Sequence, residues 1–506
     1  MIHSVLIANR GEIAVRIIRA CRMNDIKTIV ICSRDDENSL HVKMGDEVYC
    51  LGDGSIRETY LNIPKIISIL KRSKAEAVHP GYGFLSENPE FARKVIENNR
   101  IFIGPSPDTI EFLGNKVKAK QHARVLGVPV VPGSEGVVTT YSEAKEVAQE
   151  IGYPLNIKSV YGGGGLGMKL VTSEEDLESS LIECQETSLQ FFGRKEVFIE
   201  KFISKPRHIE IQFIGDNFGH IIHLGDRECS IQRSNQKLIE EAPSFLPRDY
   251  INSLGEKVCQ FAKSLNYSNA GTAEFLWKDN NLYFNEVNPR IQVEHPVTEK
   301  VTGIDIVNEQ LRIASNLPLS YQQKDLSFNG HAIEFRINAE NPFQNNLPSC
   351  GKIEQLIVPS GSEDAHVRFD TFIYPNLTIT NKFDSLLGKL IIWAKTRPRA
   401  IKSAKHALNE LVIGGLKTNI EMHQLVIDTH DFKSRKLTTD FLNQINIKEI
   451  LKKRENMKVA AALKVLDSFP IRNTIGPFQT NNLNSKGSWR KFGKNQSPQF
   501  KLNTNS

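Results

Sequence analysis

Residues 162–168 read GGGGLGM, and Lys169 follows them. Four consecutive glycines cost more backbone entropy to order than any other residue type would, so a folded protein seldom carries them without a local reason. Strand-like segments lie on both sides of the run, YPLNIKSV before it and MKLV at its end. The glycines are therefore predicted at a hairpin tip. They do not form the strand-to-helix turn of a dinucleotide fingerprint, and no G-K-[ST] follows them as in a P-loop.

Such a tip suits a polyphosphate, because backbone N–H groups can donate to the anion without side chains in the way. Lys158, at the end of the preceding strand, would add a positive charge to the same phosphates. The alternative for this loop taken alone is a flexible hairpin tip without a ligand.

The composition describes a large globular chain with a mild positive charge. Its 506 residues suffice for about three domains, and 40% hydrophobic with 24% charged residues are ordinary globular values. No apolar run approaches the ~18 residues of a membrane span. A net charge of +6 is small for a nucleic-acid binder of this length. We therefore expect small anionic ligands, no nucleic acid and no membrane.

The cysteines and the first residues predict a cytoplasmic protein. Seven cysteines are scattered without a C-x-x-C pair, which fits reduced thiols better than a disulfide framework or a zinc site. The opening MIHSVLIANRGEIAV meets charged residues before a secretory apolar segment can develop. Cys229 is interpreted as a small buried thiol and not as a nucleophile.

The apolar pattern divides the chain into four segments of an α/β and α+β multidomain protein. Residues 1–114 alternate buried strands with amphipathic helices, which predicts a doubly wound α/β domain with a parallel sheet. Residues 115–328 and 329–447 carry strands joined by tight loops, which predicts mainly antiparallel sheets. Residues 448–506 are polar and basic, which predicts a disordered tail or, alternatively, a docking arm for a partner subunit.

Alternating residues in RHIEIQF predict a strand with one polar face. His208, Glu210 and Gln212 share that face, while apolar side chains occupy the other. The polar face is either catalytic or simply wet, as on an ordinary surface strand.

The segment NEVNPRIQVEHP, if extended, has a second polar face that carries Glu286, Asn288, Arg290, Gln292 and Glu294. A hairpin through KDNN would place Glu286 beside Glu274 on the preceding strand. Two opposed carboxylates repel, and a divalent cation such as Mg²⁺ relieves the repulsion while bridging phosphates. The alternative is an exposed hairpin with two unlinked acids. Lys237, in the polar segment SIQRSNQK, is a candidate anion binder.

Together these segments resemble the biotin carboxylase family of the ATP-grasp superfamily. The resemblance spans about residues 1–445 and rests on an ordered set of motifs: IANRGEIAVRIIRA, HPGYGFLSEN, FIGPSP, IEKFISKPRHIEIQ, NEVNPRIQVEHPVTE, HAIEFRINAE and FDSLLGKLI. It implies a three-domain ligase whose ATP-grasp domain carries a glycine-rich lid at about residues 131–202. In such enzymes ATP phosphorylates bicarbonate to carboxyphosphate, and the released CO₂ carboxylates a ureido nitrogen of biotin.

The resemblance also implies the site residues. The ATP site would be formed by Lys116, Lys158, Gly163, Gly164, Gly165, Glu200, Lys201, His208 and Gln232. The ligands of Mg²⁺ or Mn²⁺ would be Glu274, Glu286 and Asn288. Bicarbonate would be held by Lys237, Arg290, Gln292 and the backbone of Val293, because a guanidinium fork suits a planar anion. Glu294 would act as general base, and Arg336 would stabilise the enolate-like oxygen of biotin.

Two positions depart from the family pattern. Leu166 stands where lysine or arginine is usual, and Asn235 stands where histidine is common. The missing cations predict a modest affinity for ATP, with the metal and bicarbonate residues unaffected.

The motif AMKM, to which biotin is normally attached, is missing, and NMKV at Met457 and Lys458 lies in a charged, helix-favouring run. We therefore expect biotin on a separate carboxyl carrier protein. A carboxyltransferase subunit would complete an acetyl-CoA, propionyl-CoA or pyruvate carboxylase, and the family resemblance suggests a homodimer.

Two other functions remain open. One is another bicarbonate-using ATP-grasp ligase, such as a carbamoyl-phosphate synthase type, although Arg336 and RIQVEHPVTE favour biotin. The other is a non-catalytic scaffold subunit of the same complex, although a scaffold has no physical need for so many retained site residues.

Overall fold

The computed structural model describes residues 1–162 and 167–445, together with residues 449, 450, 456, 457, 459 and 464. Contacts divide the chain into residues 1–452 and 453–506, and the description below concerns the first unit. In the second unit Met457 is helical, as its surroundings predict. The predictions for Gly163, Gly164, Gly165, Leu166 and Lys458, and for most of the tail at 448–506, lie outside the described residues.

A parallel sheet with helices on both faces forms the N-terminal segment, as predicted. Its strands are β1 (Ser4–Ile7), β2 (Lys27–Cys32), β3 (Glu47–Cys50), β4 (Ala77–His79) and β5 (Ile101–Phe102), in the order β3-β2-β1-β4-β5. The helices are α1 (Gly11–Met23), α2 (Leu40–Met44), α3 (Ile63–Ser73), α4 (Pro89–Glu97) and α5 (Pro107–Gly114). Val5 and Ile7 pack into one core and Leu6 into another, because successive strand residues point to opposite faces.

The predicted lid is a small sheet with two helices and its own core. Helix α6 (Lys116–Val125) precedes it, and it consists of α7 (Tyr141–Ile151), β6 (Leu155–Ser159), β7 (Met168–Val171), α8 (Leu177–Phe192) and β8 (Val197–Lys201). Strand β6 pairs antiparallel with both β7 and β8, which confirms the hairpin on either side of the glycine run. A capping box between Thr140 and Glu143 starts α7, since it satisfies free backbone N–H groups at the helix end.

An eight-stranded sheet forms the floor below the lid. Its first strands are β9 (Arg207–Gly215), β10 (Ile221–Arg233), β11 (Gln236–Ala242), β12 (Asn269–Lys278) and β13 (Asn281–Asn288). The accompanying helices are α9 (Arg248–Ser264), α10 (His295–Thr302) and α11 (Ile306–Ala314). The strand pairs are antiparallel, as predicted for this part of the chain.

The hairpin of β12 and β13 has the predicted register. Glu274 lies opposite Glu286, and Asp279 and Asn280 form the two-residue turn with φ of 49° and 63°. Aspartate and asparagine tolerate this left-handed conformation better than most residues, which explains the tight turn.

The extended face proposed for residues 286–294 is wrong beyond Asn288. Strand β13 ends there because Pro289 has no N–H to continue the ladder. Residues 289–294 form an irregular loop before α10, so their side chains do not alternate.

The last strands extend the same floor sheet. They are β14 (His331–Asn338), β15 (Glu340–Asn341), β16 (Leu347–Pro348), β17 (Gly351–Lys352), β18 (Gln355–Ile357), β19 (Ala365–Thr371), β20 (Thr378–Ile379), β21 (Leu386–Ala394) and β22 (Val412–Gly414). The helices are α12 (Arg397–Glu410), α13 (Ile420–Asp428), α14 (His430–Lys433) and α15 (Phe441–Gln444). The order of the floor sheet is β13-β12-β9-β10-β11-β14-β21-β19, so it continues across residue 328. The pairings here are antiparallel, as predicted.

None of the helices in the described part of the chain combines the length and the hydrophobicity that crossing a membrane requires.

Candidate active site

Three lysines converge where the lid faces the floor sheet. Lys116 opens α6 and forms an ion pair with Glu286 on β13. Lys120, one helical turn later, and Lys158 at the end of β6 both pair with Glu200 on β8, the second at 2.8 Å. We call Lys116, Lys120 and Lys158 the lysine cluster.

The lysine cluster has too few carboxylate partners to hold all three lysines in the charged form. Burial, followed by the charge of Lys116, lowers the pKa of Lys158 to about 8. Burial and the two other lysines lower the pKa of Lys120 well below its usual value. Three lysines face two glutamates, so an added anion would be stabilised here. A polyphosphate fits this donor set.

A second cluster surrounds Lys237 on β11. Its ammonium group contacts three buried carboxylates, at 2.6 Å from Glu210, 2.8 Å from Glu274 and 2.7 Å from Glu294. Burial alone would lower the pKa of Lys237, but the three carboxylates raise it well above the usual value. Lys237 is therefore held in its charged form.

Two carboxylates of this cluster, Glu294 and Glu274, are held ionised in turn. Burial favours the neutral form of Glu294, yet Lys237, Arg336 and Arg227 hold its pKa well below the usual value. Burial also opposes ionisation of Glu274, and Lys237 and His208 lower its pKa.

The irregular loop after β13 brings further donors to Glu274. Asn288 donates to its Oε1 at 2.9 Å and Gln292 at 3.0 Å. Arg290 donates to the side-chain oxygens of Asn288 and Gln292, both at 3.2 Å, and to Glu87 at 2.5 Å. The loop residues thus reach the predicted site although they do not share a strand face.

Arg336 on β14 closes the other side of the cluster. Its Nε donates to Glu240 at 2.5 Å and its terminal nitrogen to Glu294 at 2.9 Å. Val293 accepts at its carbonyl from Lys389 at 2.8 Å, which fixes the peptide next to Glu294. The predicted bicarbonate and catalytic residues therefore belong to one connected network of side chains.

Other predicted nucleotide residues are spread around these clusters. His208 lies 3.1 Å from Glu274 through Nε2. Gln232 donates to the Cys229 carbonyl at 2.8 Å, and Lys201 donates to the Tyr153 carbonyl at 3.0 Å. The Lys201 side chain thus lies apart from the lysine cluster, because it points to the strand face opposite Glu200.

Cys229 is fully buried, as predicted. Burial and the neighbouring Glu210 raise the pKa of its thiol well above the usual value, which excludes a reactive thiolate at neutral pH.

The predicted metal ligands offer oxygen donors of the kind that Mg²⁺ prefers. Glu274 and Glu286 are cross-strand partners, but Glu274 binds Lys237 and Glu286 binds Lys116. An ion between them would release both lysines toward anionic substrates. A further set of close donor atoms, from His208, Glu210 and Glu274, adjoins this position. The residues therefore fit a magnesium ion that enters with a polyphosphate.

Several contributors were missed by the sequence reasoning. Lys120 stands four residues after Lys116, and this helical spacing could have indicated it. Arg227 was also missed. It binds Glu210 of the predicted polar face at 2.5 Å, but no local pattern singles it out. Glu87 lies within the motif HPGYGFLSEN and contacts Arg290.

Comparisons with known proteins agree with this geometry. Three family models match in order: Biotin carboxylase, N-terminal domain, at residues 1–110; Carbamoyl-phosphate synthase L chain, ATP binding domain, at 115–322; and Biotin carboxylase C-terminal domain, at 334–444.

Among curated relatives, Biotin carboxylase 1 of Bacillus subtilis (strain 168) is 46% identical over 450 residues, covering 88% of this chain and 99% of the relative. A pyruvate carboxylase subunit of Methanothermobacter thermautotrophicus is 43% identical over 445 residues, covering 88% and 90%.

Among solved structures, the biotin carboxylase domain dimer of Hydrogenobacter thermophilus 2-oxoglutarate carboxylase, in complex with MgADP, ADP and bicarbonate, matches with a TM-score of 0.85 and 44% identity. The match covers 88% of this chain and 98% of that one. The ordered domain models, the identity over nearly the whole length of the relatives and the common fold show that this chain belongs to the biotin carboxylase family.

Proposed function

We propose that this protein is a biotin carboxylase, which uses ATP and bicarbonate to carboxylate biotin on a separate carrier protein. The observation that carries the proposal is the junction of the two clusters. Glu274 and Glu286 lie side by side, one bound to Lys237 and the other to the lysine cluster. A site for a polyphosphate thus adjoins a site for a small anion.

The lysine cluster would bind the phosphates of ATP. Phosphoryl transfer requires mainly cations and amides placed where charge develops, and Lys116, Lys120 and Lys158 supply such charges. Glu274 and Glu286, with Asn288 beside them, would hold magnesium. When bound, the ion would neutralise negative charge on the phosphate oxygens.

Bicarbonate would bind between Lys237, Arg290 and Gln292, with the backbone of Val293. In the free protein Lys237 donates to Glu294, and this contact keeps Glu294 a weak base. An anion that takes over the Lys237 ammonium would remove that restraint and raise the basicity of Glu294. Glu294 would then accept the bicarbonate proton as the phosphoryl group is transferred.

Arg336 would act at the biotin. Its guanidinium lies 2.9 Å from Glu294, so it is fixed at the edge of the site where a ureido oxygen could accept from it. Stabilising negative charge on that oxygen makes the neighbouring nitrogen a better nucleophile.

The test is ATP hydrolysis by the purified full chain, measured with and without bicarbonate and with free biotin or ammonia as acceptor. We expect hydrolysis that requires bicarbonate and is stimulated by biotin. Stimulation by ammonia instead would identify a carbamoyl-phosphate type of ligase. The absence of turnover with every acceptor would favour a scaffold subunit.

We further propose the assembly and location. The domain boundaries are placed at 1–114, 115–328 with the lid at about 131–202, and 329–447. We propose a cytoplasmic homodimer that works with a biotin carboxyl carrier protein and a carboxyltransferase acting on acetyl-CoA, propionyl-CoA or pyruvate. Support comes from relatives that are subunits of carboxylases and from the matching solved structure, which is a dimer of biotin carboxylase domains. Light scattering should give twice the chain mass of 57.0 kDa, and a mass of one chain would contradict the dimer.

A further inference from the structure

Two glutamates in neighbouring strands lie next to Arg336, one as its hydrogen-bond acceptor and the other two residues before it on β14. Glu240 on β11 and Glu334 on β14 are partners in the antiparallel register, and both are completely buried. Side chains at directly opposed positions share one face of the sheet, with Cβ atoms about 4.5–5.5 Å apart. We call Glu240 and Glu334 the buried carboxyl pair.

Three of the four oxygens in the buried carboxyl pair have no hydrogen-bond partner among the described residues. Glu240 accepts from Arg336 at its Oε1, whereas its Oε2 and both oxygens of Glu334 are buried without a partner. Two ionised carboxylates in this position would repel each other, and three of their four oxygens would lack a donor that compensates for the lost hydration.

The neighbouring cations already have other acceptors. The charged groups facing the pair are Lys237 on β11, Arg336 on β14, Lys389 on β21 and Glu294 at the start of α10. Lys389 lies 2.8 Å from the Val293 carbonyl and 3.1 Å from Glu12 of α1, and it also faces His295 of α10. Arg336 lies between Glu240 and Glu294. Within the described chain, these contacts leave little compensation for a second negative charge on the pair.

We propose that Glu240 and Glu334 share one proton, with the O–H of Glu334 donating to the free Oε2 of Glu240, so that the pair carries a single negative charge at neutral pH. This hydrogen bond gives a partner to Glu240 Oε2 and to one oxygen of Glu334, which are otherwise buried without one. Burial raises the pKa of Glu240 to about 7 although Arg336 opposes the shift. Burial and the adjacent Glu240 raise the pKa of Glu334 well above its usual value.

The shared proton makes Glu334 a positioning residue that acts through Arg336. With one negative charge on the pair, the Arg336 guanidinium divides its donors between Glu240 and Glu294. A second charge on the pair would draw the guanidinium away from Glu294 and from the substrate. This consequence rests on the proposed function, whereas the shared proton itself does not.

Infrared spectroscopy of the full-length protein tests the shared proton without any assay of activity. At neutral pH the wild-type protein should show the C=O stretch of a protonated carboxylic acid that shifts when glutamate is isotopically labelled, and Glu334→Gln should lack this band. The matched control is Glu309→Gln, because Glu309 is equally buried but accepts from Ser320 at both oxygens. The band should persist in that control. Its absence from the wild-type protein, or its persistence in Glu334→Gln, would overturn the proposal.

Activity then tests the effect on Arg336. Glutamine mimics the neutral carboxylic acid, so Glu334→Gln should retain biotin-dependent turnover within about threefold at neutral pH. At alkaline pH the wild-type pair loses its proton, whereas the variant cannot, so the alkaline fall in activity should be weaker in the variant. A loss of more than about tenfold at neutral pH, or identical alkaline limbs, would overturn the positioning role. If Glu334→Gln fails to fold, Glu334→Asp keeps a carboxyl group at this position, and a shifted band in that variant would assign the proton to the pair, whereas an unchanged band would overturn the proposal.

Discussion

In the ligand-free protein, the lysines of the proposed site form ion pairs with glutamates of the same chain. Lys237 binds three buried glutamates and Lys116 binds the partly buried Glu286, so the cations that would bind anions are occupied by protein carboxylates. Substrate binding is therefore an exchange of partners among buried charges, which should be visible in proton uptake and release.

Lys158 allows this exchange to be measured. Its pKa of about 8 in the free protein means that roughly half of the molecules carry a neutral Lys158 near pH 8. A polyphosphate favours the charged form, so nucleotide binding should take up about half a proton or more at this pH. The measurement is calorimetric titration with ATP in two buffers that differ in ionisation enthalpy.

Two variants make this prediction specific. Lys158→Met should reduce the proton uptake and weaken ATP binding. Lys169→Met removes an exposed lysine of the same lid and should leave both unchanged. Zero uptake or net proton release in the wild-type protein would contradict a buried lysine cluster that awaits an anion.

Some of these residues could be predicted from sequence and others could not. The hairpin that brings Glu274 near Glu286 follows from a short polar turn, which is local information, but the turn alone would place Glu274 opposite Asn285. A bulge between Glu274 and Phe275 shifts the register by one residue and places Glu274 opposite Glu286. Arg290 and Gln292 reach the site from a loop that Pro289 imposes, so strand alternation did not predict their positions correctly. Glu334 received no role, because a single buried carboxyl in an apolar strand has no periodic signal.

At the scale of elements, strand β11 joins the site to the core of the C-terminal segment. Lys237 contacts the carboxylates of the proposed site, while Glu241 binds Arg397 of α12 through two contacts of 2.6 and 2.8 Å. His331 of β14 contacts the same carboxylate at 2.7 Å. Two residues of one strand, Lys237 and Glu241, therefore have different roles, the first in the proposed site and the second in stability.

Glu241 should give the protein a measurable dependence of stability on acid. Burial opposes its ionisation, but Arg397 and His331 lower its pKa below the usual value. A depressed folded-state pKa contributes stability that is present above the unfolded value of about 4.3 and is lost as pH falls through the folded value. Glu241→Gln should therefore lower the free energy of unfolding at pH 7 by about 3–5 kcal/mol and weaken its decline in acid.

Urea unfolding of both proteins at pH 7 and at pH values from 5 down to about 3 checks this prediction, because the contribution of Glu241 is lost below its unfolded pKa of about 4.3. The control is Glu150→Gln, on the exposed side of α7, which should change the free energy by less than about 0.5 kcal/mol. Equal stability of Glu241→Gln and the wild-type protein at pH 7 would contradict the role given to this contact.

At the scale of the whole molecule, one carboxylate on α10 connects distant parts of the chain. Glu299 binds Arg16 of α1 at 2.9 Å and Arg368 of β19 at 2.7 Å. Burial opposes its ionisation, but Arg16, with further help from His295 and Arg368, lowers its pKa. Helix α1 of the N-terminal segment and strand β19 at the end of the floor sheet thus both contact the helix that follows the site loop.

Glu299→Gln should lower the unfolding midpoint of the whole chain, because the buried Arg16 and the partly buried Arg368 lose a shared negative partner. The expected loss is about 3 kcal/mol or more, measured by denaturation with probes of both secondary and tertiary structure. Asp305→Asn is the control, since Asp305 binds the same Arg16 but is 35% exposed and should cost about 1 kcal/mol or less. An effect of Glu299→Gln no larger than that of the control would contradict the connecting role of this carboxylate.

The order of the strands in the floor sheet could not be predicted from the sequence. Parallel and antiparallel segments follow from local alternation, and both were predicted. The pairing of Ile239 with Phe335 joins residues almost a hundred positions apart, and no local pattern encodes it. The order of the eight strands therefore depends on long-range packing that alternation does not specify.

The most direct test of the central claim is transfer of radiolabelled bicarbonate to free biotin in the presence of ATP and magnesium, with wild-type protein and Arg290→Gln. Arg290 suits this test because its partner Glu87 is 45% exposed, so the substitution leaves no buried carboxylate unpaired there. We predict that the wild-type protein labels biotin only when ATP and bicarbonate are both present, and that Arg290→Gln is slower by about 100-fold while still binding ATP. Absence of labelled biotin with the wild-type protein, or an unchanged rate with Arg290→Gln, would contradict the proposed chemistry.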